Sequence, residues 1–128
     1  MAIEVPLMDL AFKANADLST LQFYLVKLDT TAALQIGTCS ATTDNPVGVL
    51  QNKPGSLQAA TVRVQGVSKA VCGGALGNGS LVTTNASSQA SGVGTGVTTS
   101  YTLGFALDTV TTAGEVVSIF LTHAGRGA

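Results

Sequence analysis

Charge is what this sequence has least of. Asp, Glu, Lys and Arg make up 10% of its 128 residues, against about 25% in an ordinary soluble domain. The surface must then be covered by Thr, Ser, Asn, Gln and Gly, or by another protein. Depletion of charge is one mark of an interface core. The net charge is −1 and the isoelectric point about 5.6. Lys13, Lys27, Lys53, Arg63, Lys69 and Arg126 are scattered along the chain. Counterion release rewards clustered basic residues, so no nucleic-acid partner is expected. Tryptophan is absent and aromatic residues are 5%, which argues against sugar stacking and base stacking. No run approaches the roughly 18 apolar residues of a membrane-spanning helix, so no membrane partner is expected. No basic region opens the chain, and Met1 to Leu10 carries two acids, so no signal peptide is read and assembly in a cytoplasm is expected.

Reactive side chains are equally sparse. The two cysteines, Cys39 and Cys72, are read as buried thiols, since small disulfide-stapled domains usually carry more. The single histidine, His123, lies near the C-terminus. A Ser-His-acid system needs it in a cleft beside an orienting carboxylate, so a surface or interface role is the plainer reading. Zinc sites need His and Cys at short spacing, and Cys39, Cys72 and His123 are far apart. No metal, cofactor or catalytic residue is predicted. The acids sit mostly where turns are expected; a catalytic carboxylate pair is geometrically possible, for example Asp29 with Asp108 from equivalent places in two halves, but the plainer reading makes both turn residues at strand ends. Gly92-Val93-Gly94-Thr95-Gly96 lacks dinucleotide-binding spacing, and Gly73 to Gly79 lacks the Lys-Ser/Thr of a phosphate-binding loop. Asn78-Gly79-Ser80 and Asn85-Ala86-Ser87 match the glycosylation pattern by composition alone.

What is present points to β structure. Length argues for one domain, which buries roughly two thirds of the surface its unfolded chain exposes. Residues 1–20 read as an N-terminal arm: Ile3, Val5 and Leu7 alternate with Glu4 and Pro6, and Met8 to Ala16 has weak helical character. Residues 21–124 read as a β domain, with strand candidates at 23–28, 31–39, 46–51, 61–71, 80–84, 101–107 and 115–122. Thr42 to Pro46 and Asn52 to Gly55 are turn clusters. The uncharged tract Asn85 to Ser100 reads as an exposed loop, and residues 125–128 as a loose tail. Pro46-Val47-Gly48-Val49-Leu50 is similar to Thr102-Leu103-Gly104-Phe105-Ala106, with Gly48 and Gly104 56 residues apart. A β-branched strand follows each. This weak internal repeat suits a small mainly-β barrel or sandwich, with an extended arm and at most one short helix.

The run Pro46 to Gly55, followed by Ala59-Ala60-Thr61-Val62-Arg63-Val64-Gln65-Gly66-Val67-Ser68-Lys69, resembles the centre of tailed-phage capsid cement proteins. So do Gly79 to Thr83, Leu103 to Asp108 and Ala113 to Leu121. The resemblance covers Tyr24 to Leu121 and is a pattern of strands and glycine turns without a catalytic signature. It implies a non-enzymatic head decoration protein on the outer surface of the mature capsid. The partners implied are the major capsid protein and further copies of the chain, as trimer or dimer. The arm and the 85–100 tract are less family-like; an association surface is expected there from their own residues, at Ile3, Val5 and Leu7 and at Val93 and Val97. Other virion β modules (a head fibre, a tail component or a receptor-binding domain) are the alternative. A carbohydrate-binding module and an enzyme built around His123 are further alternatives, which glycan binding and a pocket holding His123 with an acid would reveal.

Overall fold

The computed structural model describes residues 2–93 and 99–126, and side chains are described as far as His123. The chain is all β, with no helix among the described residues. Nine strands follow in order: β1 (Val5–Ala14), β2 (Leu25–Leu28), β3 (Gln35–Thr38), β4 (Gly48–Leu50), β5 (Ala59–Val71), β6 (Leu81–Thr84), β7 (Ala90–Gly92), β8 (Tyr101–Ala106) and β9 (Val116–Arg126). They form one sheet in the order β1-β3-β2-β4-β5-β9-β8-β6-β7, and β1 also pairs with β5. That added pairing joins the first five strands into a closed circuit. An isolated parallel bridge from Cys72 to Ala90 ties the end of β5 to β7, closing a second circuit through β9, β8 and β6. Strand β5 belongs to both.

The two circuits repeat one design. Val26 pairs with Gly48 and Val82 with Gly104; Leu25 pairs with Val49 and Leu81 with Phe105. Each position in the second set is 56 residues after its counterpart. Val49 pairs with Arg63 and Leu50 with Val62, as Phe105 pairs with Phe120 and Ala106 with Ile119. β1 runs antiparallel to β5 and parallel to β3, as β5 runs antiparallel to β9 and bridges β7 in parallel. The described residues with left-handed backbone fall into counterpart pairs: Phe23 with Gly79, Leu34 with Ser88, Leu57 with Gly114, and Gly66 with His123. Turn chemistry repeats too. Gln58 Oε1 accepts from Gly55 N at 2.7 Å, and Glu115 Oε1 from Thr112 N at 2.8 Å. Asn52 Oδ1 accepts from Thr61 N, and Asp108 Oδ1 from Ser118 N.

Sequence similarity around Gly48 and Gly104 has a steric cause. A Cβ on Gly48 would overlap the Arg63 carbonyl oxygen, and one on Gly104 the Phe120 carbonyl oxygen. Only glycine lets β4 approach β5, and β8 approach β9, so closely. Two apolar clusters fill the interior. One joins Ala14, Leu18, Val26, Ile36, Leu50, Ala60 and Val62; the other joins Leu25, Val49, Cys72, Val82, Leu103, Val117 and Ile119 with their neighbours. Each fully buried Leu, Ile or Val contributes about 1.5–3 kcal/mol. Leu25 and Val49, first-half residues, sit in the second cluster, so the halves share a core. Cys39 and Cys72 are buried free thiols, and burial pushes both up to about 11.

The structure corrects several expectations. Met8 to Ala14 is strand, because this segment pairs with β5 rather than closing helical turns. The 85–100 tract contains β7, whose short side chains fit beside β6. Strand β9 runs on to Arg126, into the expected tail. Asp29 and Asp108 are not counterparts: Asp29 corresponds to Asn85, and Asp108 to Asn52. Asp29 Oδ1 accepts from Thr31 N and Asn85 Oδ1 from Ser87 N, both at 2.9 Å.

Candidate docking strand

The first strand has little to hold it except β5. It pairs along Val5 to Lys13 with β5, but meets β3 only at Lys13 and Ala14. Its outer edge is therefore unpaired before Lys13 among the described residues. An edge of this kind presents free N–H and C=O groups to another chain. Apolar side chains also line it. Leu7 is 70% exposed, Ile3 and Val5 49%, Met8 44% and Leu10 42%. Only at its end does the strand turn inward, with Phe12 packed against the apolar cluster that contains Ala14.

A buried arginine holds this strand in place. Arg63 is 6% exposed. Its Nε donates to Asp9 Oδ1 at 2.9 Å and its Nη2 to Asp9 Oδ2 at 3.3 Å, a bidentate fork. Nη1 donates to Glu4 Oε2 at 2.9 Å and to the Val67 carbonyl at 3.2 Å. Burial works against the guanidinium charge, but the bonds to Asp9 and Glu4 outweigh it and raise the arginine's pKa. Glu4 also reaches Lys69 Nζ at 3.5 Å. Glu4 and Asp9 are five residues apart, a spacing that puts side chains on opposite faces of a regular strand. The register shifts around Met8 absorb the difference, so both carboxylates reach one arginine.

The sequence-predicted association residues separate into groups. Ile3, Val5 and Leu7 lie together at the exposed start of the chain; Ile3 N donates to Ser118 Oγ at 2.6 Å. Val93 is half-buried just after β7, at the other end of the strand order, where its N–H donates to the Leu81 carbonyl. Val97 lies outside the described residues. Met8 and Leu10 extend the exposed apolar row and were missed, because Met8 to Ala16 read as helical and its outward face could not be assigned. Arg63 looked like one scattered cation; nothing local in the sequence marks its pairing with residues more than fifty positions earlier.

No family model and no curated protein matches the chain. Among solved structures, it is similar to the N base of the head fibre protein gp8.5 of bacteriophage phi29. The TM-score is 0.69 at 14% identity, over 92% of this chain and 96% of that one. At that identity the likeness is one of fold.

Proposed function

We propose that this chain is a structural virion protein that decorates the outside of a mature phage head and cements neighbouring capsid subunits, with no enzymatic reaction. Its partners are the major capsid protein and further copies of the chain, as a dimer or trimer. The observation that carries this reading is the fold shared with a phage head fibre base over nearly the full length of both chains. The exposed apolar strand supports it: a cement protein gains affinity by adding edge and area across a seam, and β1 offers both. Low charge keeps the desolvation cost of such contacts small. A second reading, the base of a head fibre, is favoured by what the similar structure is said to be.

Copy number separates the two. Quantitative mass spectrometry of purified virions is expected to find this chain at a simple ratio to the major capsid protein. A handful of copies per particle would favour the fibre base, and absence from virions would overturn both. Within the cement reading, Leu7→Lys together with Leu10→Lys is expected to abolish head binding while changing stability by less than about 0.5 kcal/mol, since both are exposed. Unchanged sedimentation of the double variant with heads would exclude β1 as the contact.

A further inference from the structure

The first half meets the second through a wedge of chain that leads into β2. Leu25 N donates to the Ser88 carbonyl at 2.8 Å, and Val71 N to the Phe23 carbonyl at 3.0 Å. The segment from Phe23 to Leu25 thus lies between β5 and the turn before β7, and the Leu25 side chain is buried in the second cluster. Two polar contacts flank the wedge. Gln51 Nε2 donates to Ser68 Oγ at 2.8 Å, and Cys39 N to Ser88 Oγ at 2.6 Å.

Both sides of this contact are built a second time by the duplication. The wedge recurs as Gly79 to Leu81. Phe23 N donates to the Leu50 carbonyl and Gly79 N to the Ala106 carbonyl, both at 2.7 Å; Leu50 N donates to Tyr24 and Ala106 N to Ser80, both at 2.9 Å. The receiving side recurs around the end of β1. Lys13 pairs with Ala59 as Val71 does with Val116, and Leu34 at φ 58° matches Ser88 at φ 62°. Neither second version is filled. Leu81 is 40% exposed where Leu25 is fully buried. An open hollow of about 350 Å³ lies at the second receiving side, walled by Phe12, Lys13 and Leu34 with their neighbours. There Lys13 N closes onto the Leu34 carbonyl at 2.9 Å, with no wedge between.

Flanking residues change in matched pairs. Gln51 corresponds to Leu107, since their N–H groups donate to the equivalent Thr61 and Ser118 carbonyls. Ser68 pairs with Ile119 as Leu10 does with Val62. The bonded pair Gln51 and Ser68 is thus replaced by Leu107 and Leu10, 41% and 42% exposed. Cys39 follows the partner of Val26, as Val93 follows the partner of Val82. The bonded pair Cys39 and Ser88 is thus replaced by Val93 and Leu34, and Leu34 is 73% exposed. Polar groups meet at the seam, and apolar ones stand at both of its unfilled copies.

We propose that the Leu81 face of one copy docks into the Phe12–Leu34 hollow of a second copy, repeating between chains the seam that joins the halves within one. The proposal rests on the part of the capsid reading that makes further copies a partner. Docking exchanges the Lys13–Leu34 bond for two between chains, Lys13 N to the Gly79 carbonyl and Leu81 N to the Leu34 carbonyl. It also takes Leu81, Leu107, Leu10 and Leu34 out of water. The two faces differ, so the contact is heterologous and joins copies head to tail. Ile3, Val5 and Leu7 lie outside it and stay available to the capsid.

The test is analytical ultracentrifugation of the full chain over a range of concentrations, without heads. The unaltered chain is expected to associate above the monomer mass. Leu81→Lys and Leu34→Lys each alter one face at an exposed position, so both should fold with little change in melting temperature. Each alone is expected to weaken association roughly a hundredfold or more. An equimolar mixture of the two is expected to form a pair and stop there. In that pair the Leu34→Lys copy offers its intact Leu81 face, and the Leu81→Lys copy its intact hollow. A monomeric unaltered chain, undiminished association in either folded variant, or a mixture that stays monomeric would overturn the proposal. Copy number in virions is read separately. A chain that associates as expected but is absent from virions keeps this contact and loses the capsid reading; an abundant virion chain that stays monomeric does the reverse.

Discussion

At the scale of single residues, the duplication turns each half into a control for the other. Leu57 has φ 61° and is 61% exposed, while its counterpart Gly114 has φ 91°. Leu57→Gly relieves left-handed strain of about 1–2 kcal/mol, against the extra chain entropy that glycine loses on folding, about 0.5–1 kcal/mol. A net gain of about 0.5–1 kcal/mol is expected in urea unfolding, and Gly114→Leu should lose stability. Thr83 gives a second case. It is 3% exposed and its Oγ1 has no hydrogen-bond partner among the described residues. Thr83→Val keeps the shape and removes the unsatisfied hydroxyl, so a gain of about 1 kcal/mol is expected. Gly104→Ala should do the reverse. Its Cβ meets backbone rather than a movable side chain, so the loss should reach about 3 kcal/mol or more. These glycines were the legible part of the repeat, because a steric requirement for no side chain survives in the sequence as identity. Phe23 with Gly79, or Gln58 with Glu115, share conformation and bonding but not residue type, so nothing in the letters paired them.

At the scale of elements, strands with buried faces were readable and strands without them were not. Ser80 to Thr84 reads as a strand and holds β6, and the β-branched alternation from Thr61 marks β5. Strand β1 was legible as extended only from Ile3 to Leu7; the register shifts around Met8 break the period of two, so the segment after it carries no strand pattern. Its attachment rests on Arg63, and Asp9→Ala tests that. The substitution leaves a guanidinium 6% exposed with Glu4 as its remaining carboxylate partner, at a cost of about 2–3 kcal/mol. Hydrogen exchange should quicken across Val5 to Lys13 more than in β8 or β9; uniform quickening would mean that β1 does not open separately. Turns respond instead to acid. Backbone bonds from Thr31, Ser40 and Thr111 hold Asp29, Asp44 and Glu115 below the ordinary carboxylate values. A folded-state pKa below the unfolded one contributes stability that is complete above the unfolded value and lost as pH falls through the folded value. Urea stability should therefore be flat on this account above about pH 5 and decline below about pH 4. Glu115→Gln, which installs the residue of the counterpart turn, should make that decline shallower.

At the scale of the whole molecule, duplication and cooperativity pull in opposite directions. Two similar units in tandem often melt separately, as stacked repeats do when the coupling between neighbours is weak. Here the coupling is structural. Strand β5 gives its first half to the circuit with β1 and β4 and its second half to β9. Leu25 and Val49 pack in the cluster that otherwise belongs to the second half, and Leu25 N donates to the Ser88 carbonyl across the seam. Neither circuit can lose β5 without exposing part of the other's core. The chain is therefore expected to unfold in one transition, with calorimetric and van't Hoff enthalpies equal. A seam variant should keep that behaviour while lowering stability: Leu25→Ala removes a fully buried side chain, with an expected loss of about 2–5 kcal/mol. If the variant instead splits the melt into two steps, the seam rather than the shared strand supplies the cooperativity. If the unaltered chain already melts in two steps, the circuits are energetically separate despite sharing β5.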